Sequence, residues 1–496
     1  MRLTTTCLAA LGIASLMACS DGNDDFRPVT EPQFLPVASP LVSNPPDEGS
    51  LFLQANAFDL ADIGYEEQEY FLEGTATAFT NLNELANDGL WQAEPGEQAN
   101  YKTRIVVHRP VDASLFNGSV LVEWLNVTSG FDIPPSWGTG HVEMYRQGHI
   151  WIGVSAQFVG IEGSTASLAP LHLKNVNPDR YGSLVHPGDS FSYDMFSQVT
   201  SILREPQDLD VLNGMVPDRL VAYGESQSAS RLVTYINAVQ LLYNAYDGFM
   251  VHSRGDGSAR LAQEPQEEIL TPDAPRIRDD INVPVLTFQT ETDVTLLGYA
   301  AARQDDSESF RLWEVAGTAH ADRYTIVAGR NDSVGAPEFA AVREEDTVLG
   351  FLKCDKPFNS GPMHYVFQMA VRQLDDWVLN GTLPIAAPRL DLDSQGEYIL
   401  DNNGNVTGGI RTPYVDAPVA VLSGGGQEGG SFCFLFGTTA LFTPAQMVSL
   451  YVDQAGYVNA VTTAANQAVA EGFLLQIDAD AIISWAPQQW SEQTGL

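Results

Sequence analysis

The sequence predicts an α/β protein with a mainly parallel sheet covered on both faces. Between residues 118 and 316, short runs continuous in Val, Ile, Leu and Phe recur, the texture of strands buried on both faces. Helical or loop segments separate them, as in SVLVEWLN, HVEMYRQG and IWIGVSAQ, and parallel strands need such crossovers. At 496 residues and 44% hydrophobic composition, the chain can fill a large core.

The N-terminus, MRLTTTCLAALGIASLMACS, carries one Arg and then an apolar run of about fifteen residues, short for a membrane span but suited to a secretory signal. It closes on Leu16-Met17-Ala18-Cys19, which resembles the lipobox of bacterial lipoproteins. Residues 1–18 are thus expected to be a signal peptide and Cys19 the lipid attachment point; the alternative is an ordinary signal with a chance cysteine. Residues 19–46, rich in Asp, Asn, Ser and Pro, read as a tether. The expected location is exported, on a periplasmic face or cell surface, with the lipid anchor as the sole membrane contact.

EYFLEGTATAFT (69–80) and YKTRIVVHRP (101–110) read as early antiparallel strands. The alternating series follows: SVLVEWLN, IWIGVSAQ, the helix FSYDMFSQVTSIL, RLVAYGES, the helix SQSASRLVTYINAVQ, YDGFMVHS, VPVLTFQTET and FRLWEVAG. A helix over 361–380 places Met363, Val366, Phe367, Ala370, Val371, Leu374 and Val378 on one face, with Gly381 as its stop. EYILDNNGNVTGG reads as a hairpin, and Thr443-Pro444-Ala445-Gln446 as a capping box that opens a helical tail. The expected organisation is a core over 47–384 and a mostly helical C-terminal extension over 385–496.

A formal net charge of −38 repels phosphate backbones and argues against nucleic-acid partners. Of the four cysteines, Cys7 falls in the signal and Cys19 in the lipobox, so Cys354 and Cys433 remain for the folded part. In an exported setting they suggest a disulfide, the alternative being two buried thiols. No C-x-x-C or spaced Cys/His cluster suggests zinc. DLDSQGE at 391 starts like a calcium loop, but position twelve is Asn402, so a turn is the better reading. SGGGQEGG lacks the Lys-Ser/Thr of a phosphate loop.

Chemistry enters at VAYGESQSAS (221–230), where a strand ends at Gly224 and a helix begins straight after Ser226. This strand–turn–helix context suits a nucleophile elbow, although Ser228 stands where G-x-S-x-G has its last glycine. The alternative is that Ser226 and Ser228 cap the helix. A serine nucleophile needs a histidine base and an orienting carboxylate. Asp293, with Glu291 as its alternative, follows the strand VPVLTFQT. His320 lies in the loop after FRLWEVAG, and His252 is the rival base. The order Ser, acid, His is that of a known hydrolase triad, and all three fall at the C-terminal edge of a parallel sheet. Candidate oxyanion donors are the Gln227 N–H and one of Asn126, Val127 or Thr128. In DRYGSLVHPGDSFSYD (179–194), His186 or Tyr181 could reach substrate, although a helix entry capped by Asp189 or Ser190 is the better reading.

The stretches VLVEWLNVTSGFD, RYGSLVHPGDSFSYD, YGESQSASRL, YDGFMVHSRG, FQTETDV and RLWEVAGTAHAD together resemble the α/β-hydrolase superfamily, more closely a group of exported bacterial proteins described as alpha/beta hydrolase domain-containing. The resemblance runs from roughly residue 50 to the C-terminus and implies an α/β-hydrolase fold. In that group the elbow looks like G-E-S-Q-S, which makes Ser228 a family trait. The expected function is a serine hydrolase acting on a small-molecule carboxylic ester, with Ser226, His320 and Asp293 as its triad and no metal or organic cofactor. Acyl transfer or amide hydrolysis on the same triad is the alternative, and a non-catalytic binding lipoprotein is the reading from another class.

Overall fold

In the computed structural model, the description covers residues 34–165, 170–348, 352–430 and 432–496. Among these, nine strands form one sheet in the order β1-β2-β3-β5-β4-β6-β7-β8-β9. The strands are β1 (Leu41–Ser43), β2 (Tyr65–Asn81), β3 (Ala93–Pro110), β4 (Ser119–Trp124), β5 (Ile150–Val154), β6 (Arg219–Glu225), β7 (Gly248–His252), β8 (Val285–Thr290) and β9 (Phe310–Val315). β1 to β3 pair antiparallel, and so does β3 with β5. From β5 through β4 to β9 every pairing is parallel. Strands β4 to β9 are buried along their whole length, as continuous apolar runs require.

Side-chain alternation divides the interior. Val120, Val122, Leu220, Ala222, Val251 and Leu312 face one side, where α2 (Ser192–Arg204) and α3 (Gln227–Thr234) bring Phe196, Val199, Leu232 and Val233. Leu121, Val221, Tyr223, Met250 and Trp313 face the other. There α1 (Pro135–Arg146) and α4 (Met363–Asn380) supply Trp137, Met144, Val366, Phe367 and Leu374. Helix α4 stops at Gly381, whose φ of 72° is left-handed and costs glycine little. The run expected as one helix after Ser226 passes instead through a π-helical turn, Tyr235–Val239, before ending at Tyr243.

One sequence expectation needs correction. The tether does not extend to residue 46: Leu35 N–H donates to Leu242 O at 2.7 Å, and β1 pairs with β2 with Val42 buried. The expected signal, Cys19 and the tether as far as residue 33 lie outside the described residues. EYILDNNGNVTGG (397–409) does form a hairpin: Leu400 and Val406 bridge antiparallel, and Asp401 Oδ1 accepts the Asn403 and Asn405 N–H groups at its turn. A separate turn precedes it, in which Asp393 Oδ1 accepts the Gln395 and Glu397 N–H groups. The Asp393 carboxylate is thus occupied by backbone N–H groups, in keeping with a turn.

Residues beyond 385 are joined to the sheet. Ile410 forms a parallel bridge with Val315 at the end of β9, and Leu390 and Val406 enter the main core. A two-stranded pair, β10 (Ala420–Ser423) and β11 (Thr438–Leu441), leads to α5 (Pro444–Tyr451), α6 (Gln454–Ala470) and α7 (Gln476–Thr494). Helix α5 opens with the full Thr443/Gln446 capping box. The three helices close around Met447, Tyr457, Val461, Ala465, Ile482 and Trp490.

A disulfide joins Cys354 to Cys433 across 79 residues of sequence. Closing so long a loop removes unfolded-state entropy worth on the order of 4 kcal/mol. The double variant C354S/C433S is expected to lose unfolding free energy of about that size, at most, in urea denaturation. Intact-mass measurement before and after reduction checks the bond itself.

Candidate active site

Ser226, Asp293 and His320 each lie where a parallel strand gives way to a loop. At the end of β6, Ser226 has φ 56° and ψ −117°, a conformation that costs a non-glycine residue about 1–3 kcal/mol. Its N–H donates to His252 O at 2.9 Å on the neighbouring β7, which holds the strained residue in place. An ideal Cβ on Gly224 would lie 2.9 Å from Ser228 O and 3.0 Å from Leu232. The first residue of GESQS therefore has to be glycine, whereas the fully buried Ser228 fits as a small side chain. Ser226 does not cap the helix that follows it.

Its hydroxyl instead lies 2.9 Å from His320 Nε2, and His320 Nδ1 lies 2.6 Å from Asp293 Oδ1. The second Asp293 oxygen accepts the Thr290 N–H at 2.7 Å and the Thr290 hydroxyl at 2.8 Å. Burial opposes the imidazolium, but Asp293, through charge and hydrogen bond, together with the Glu225 carboxylate, holds the His320 pKa above its ordinary value.

Glu291, the alternative acid, faces away from His320. It accepts the Gly317 N–H at 2.6 Å and the Gly424 N–H at 2.8 Å, and burial pushes its carboxyl up to about 7 against these two bonds. The rival base, His252, is buried and stacked 4.3 Å from Phe367. Burial, and then His320, press its pKa down to about 3, so it is a neutral core residue whose carbonyl serves the elbow.

The three candidates for the second oxyanion donor separate clearly. Asn126 N–H donates to Ile133 O and Thr128 N–H to Asn126 Oδ1; both are engaged. The Asn126 amide donates to the Glu225 carbonyl and to Glu225 Oε2, each at 3.1 Å. Val127 N–H has no protein acceptor among the described residues, and Gln227 opens α3, where an N–H has no intrahelical partner. The Gln227 side chain pairs with Gln157, each amide donating to the other, tying the elbow to the loop after β5.

His186 and Tyr181 do not line this site. His186 Nε2 bonds the Ala156 carbonyl at 2.9 Å, and the Tyr181 hydroxyl meets Glu69 and the Phe52 N–H. Neither Asp189 nor Ser190 caps the helix entry: Asp189 accepts Phe158 N–H and pairs with Arg231, and Ser190 donates to Gln263 O. Sequence reasoning missed Glu225, Thr292, Asn359 and Gly424. Thr292 Oγ1 donates to Gly424 O at 2.6 Å and accepts the His320 N–H at 3.1 Å. Asn359 donates to Gly317 O and Ser423 O. Only Glu225 carried a local signal, as an acid directly before the serine of the elbow.

A family model described as an alpha/beta hydrolase domain matches residues 36–484. The chain belongs to this family. No curated protein matches it. Among solved structures, this alpha/beta hydrolase is similar to acetyl xylan esterase 1 from Thermoanaerobacterium sp. JW/SL YS485, at 9% identity and TM-score 0.30 over 56% of this chain and 81% of that one. It is also similar to a fungal esterase from Rhizomucor miehei, at 11% identity and TM-score 0.25 over 51% and 77% of the two chains. A thermostable esterase from Pseudomonas putida ECU1011 stands at 12% identity and TM-score 0.26 over 53% and 76%.

Glu291 gives the site a pH signature. Its folded pKa, about 7, lies above the ordinary value of 4.5, so its stabilising contribution is full below about pH 4.5 and is lost as pH rises through about 7. Glu291→Gln does not titrate. Urea unfolding at about pH 5 and about pH 8 is expected to show a smaller fall in stability for this variant than for the wild type.

Proposed function

We propose that this alpha/beta hydrolase is a serine hydrolase acting on carboxylic esters through an acyl-enzyme. The observation that carries the proposal is the chain of contacts Ser226–His320–Asp293, at 2.9 and 2.6 Å, on an elbow that thrusts Ser226 out of the strand direction. In this reading His320 Nε2 takes the hydroxyl proton as Ser226 Oγ attacks the acyl carbon, and Asp293 holds the Nδ1–H tautomer. The N–H groups of Gln227 and Val127 receive the oxyanion. His320 returns the proton to the leaving alkoxide, and water later releases the acid by the reverse sequence. An ester suits the site because its alkoxide asks less of the general acid than an amine does, and the acid here shares Nε2 with Glu225.

Ser226→Ala is expected to abolish both hydrolysis of short-chain p-nitrophenyl esters and labelling by a fluorophosphonate probe. Asp293→Asn is expected to lower kcat on the order of 10³-fold or more while leaving the fold intact. Unchanged hydrolysis by the Ser226→Ala protein would overturn the assignment.

The N-terminal pattern supports an exported lipoprotein of the alpha/beta hydrolase domain-containing group, held by a diacylglyceryl thioether on Cys19. Metabolic labelling with a fatty-acid analogue should mark the wild type and not Cys19→Ser, and the variant should leave the membrane fraction. Equal labelling of both proteins would argue against the anchor.

A further inference from the structure

The elbow carries a second carboxylate that the triad does not use. Glu225 directly precedes Ser226 and is 6% exposed. One oxygen, Oε1, lies 3.3 Å from His320 Nε2, the nitrogen that also faces Ser226 Oγ. The other, Oε2, accepts the Asn126 amide at 3.1 Å. The same amide donates to the Glu225 main-chain carbonyl, so side chain and backbone are anchored by one group from the loop after β4.

We propose that Glu225 is a positioning residue for the hydrolysis assigned above, which steadies the His320 imidazolium from its Nε2 side while Asp293 steadies it from Nδ1. The inference rests on that functional reading for its catalytic consequence. As the Ser226 Oγ–C bond forms, the carbonyl electron pair moves to oxygen and the hydroxyl proton passes to Nε2. The resulting cation then faces a carboxylate at each ring nitrogen. As the acyl C–O bond breaks, the proton leaves Nε2 for the departing alkoxide. Glu225 neither gains nor loses a proton in this sequence.

The surroundings admit such a role. The groups facing His320 are Asp293, Glu225 and the neutral ring of His252. Those facing Glu225 are His320, the Asn126 amide and, at longer range, the carboxylates of Asp293 and Glu123. Burial, against the opposing pull of His320, raises the Glu225 carboxyl to about 7. Its ionisation therefore falls near neutrality and is linked to that of the histidine.

The test is to titrate His320 by NMR in the full-length protein with ¹³C-labelled histidine, assigning its signal by loss in His320→Gln. Glu225→Gln keeps the size of the side chain and removes its charge, so the His320 midpoint is expected to fall by about one pH unit, a tenfold loss of proton affinity. The acid limb of the kcat/KM profile is expected to move down with it. Glu225→Asp retains a charge with shorter reach, should place the midpoint between the two, and serves as the variant of record if the glutamine protein does not fold. An unchanged His320 midpoint in whichever variant folds would overturn the proposal. Because the NMR readout needs no turnover, absence of ester hydrolysis would sink the functional reading alone, whereas intact Ser226-dependent hydrolysis with an unmoved midpoint would sink only the role of Glu225.

Discussion

Ser226 and His320 sit at the ends of strands separated by two others, and a single turn keeps them in register. Its three consecutive residues together hold the histidine loop and the segment behind it. Glu291 binds the N–H groups of Gly317 and Gly424, Thr292 bridges Gly424 O and the His320 N–H, and Asp293 binds His320 Nδ1. An ideal Cβ on Gly424 would fall 2.4 Å from Thr292 N, so backbone meets backbone there without room for a side chain. The histidine loop is thus fixed at its start, at its main chain and at its ring by one short segment.

The same contacts explain why residues beyond 385 are not an ornament on the sheet. Asn359 ties Gly317 to Ser423, and the Leu435 carbonyl accepts the N–H of Ala321, the residue after His320. The Cys354–Cys433 bond fixes the turn that presents Leu435. Backbone hydrogen bonds buried from water are stronger in their electrostatics and costly to leave unmade, which gives this belt of contacts authority over the position of the histidine.

The parts of the structure legible in the sequence were those governed by period and order. Continuous apolar runs marked strands buried on both faces, and the order Ser226, Asp293, His320 after β6, β8 and β9 anticipated the three groups that meet. What stayed hidden depends on pairing across long sequence distances. Glu291 and Asp293 are two residues apart and chemically alike, and only the positions of Gly317 and Gly424 decide which carboxylate faces the ring. Asn126 looked like a backbone donor, but its N–H is claimed by Ile133, a pairing that depends on how the loop turns back. The tether boundary failed because β1 is three residues long and gains its place from β2 and not from its own apolar pattern.

The belt that fixes His320 also sets an order in time. Ser226, Asp293 and His320 are synthesised well before Gly424 and Cys433, so a growing chain holds all the reactive groups while lacking the segment that aligns them. The alignment of His320 with Ser226 therefore waits on contacts that only the C-terminal third of the chain supplies.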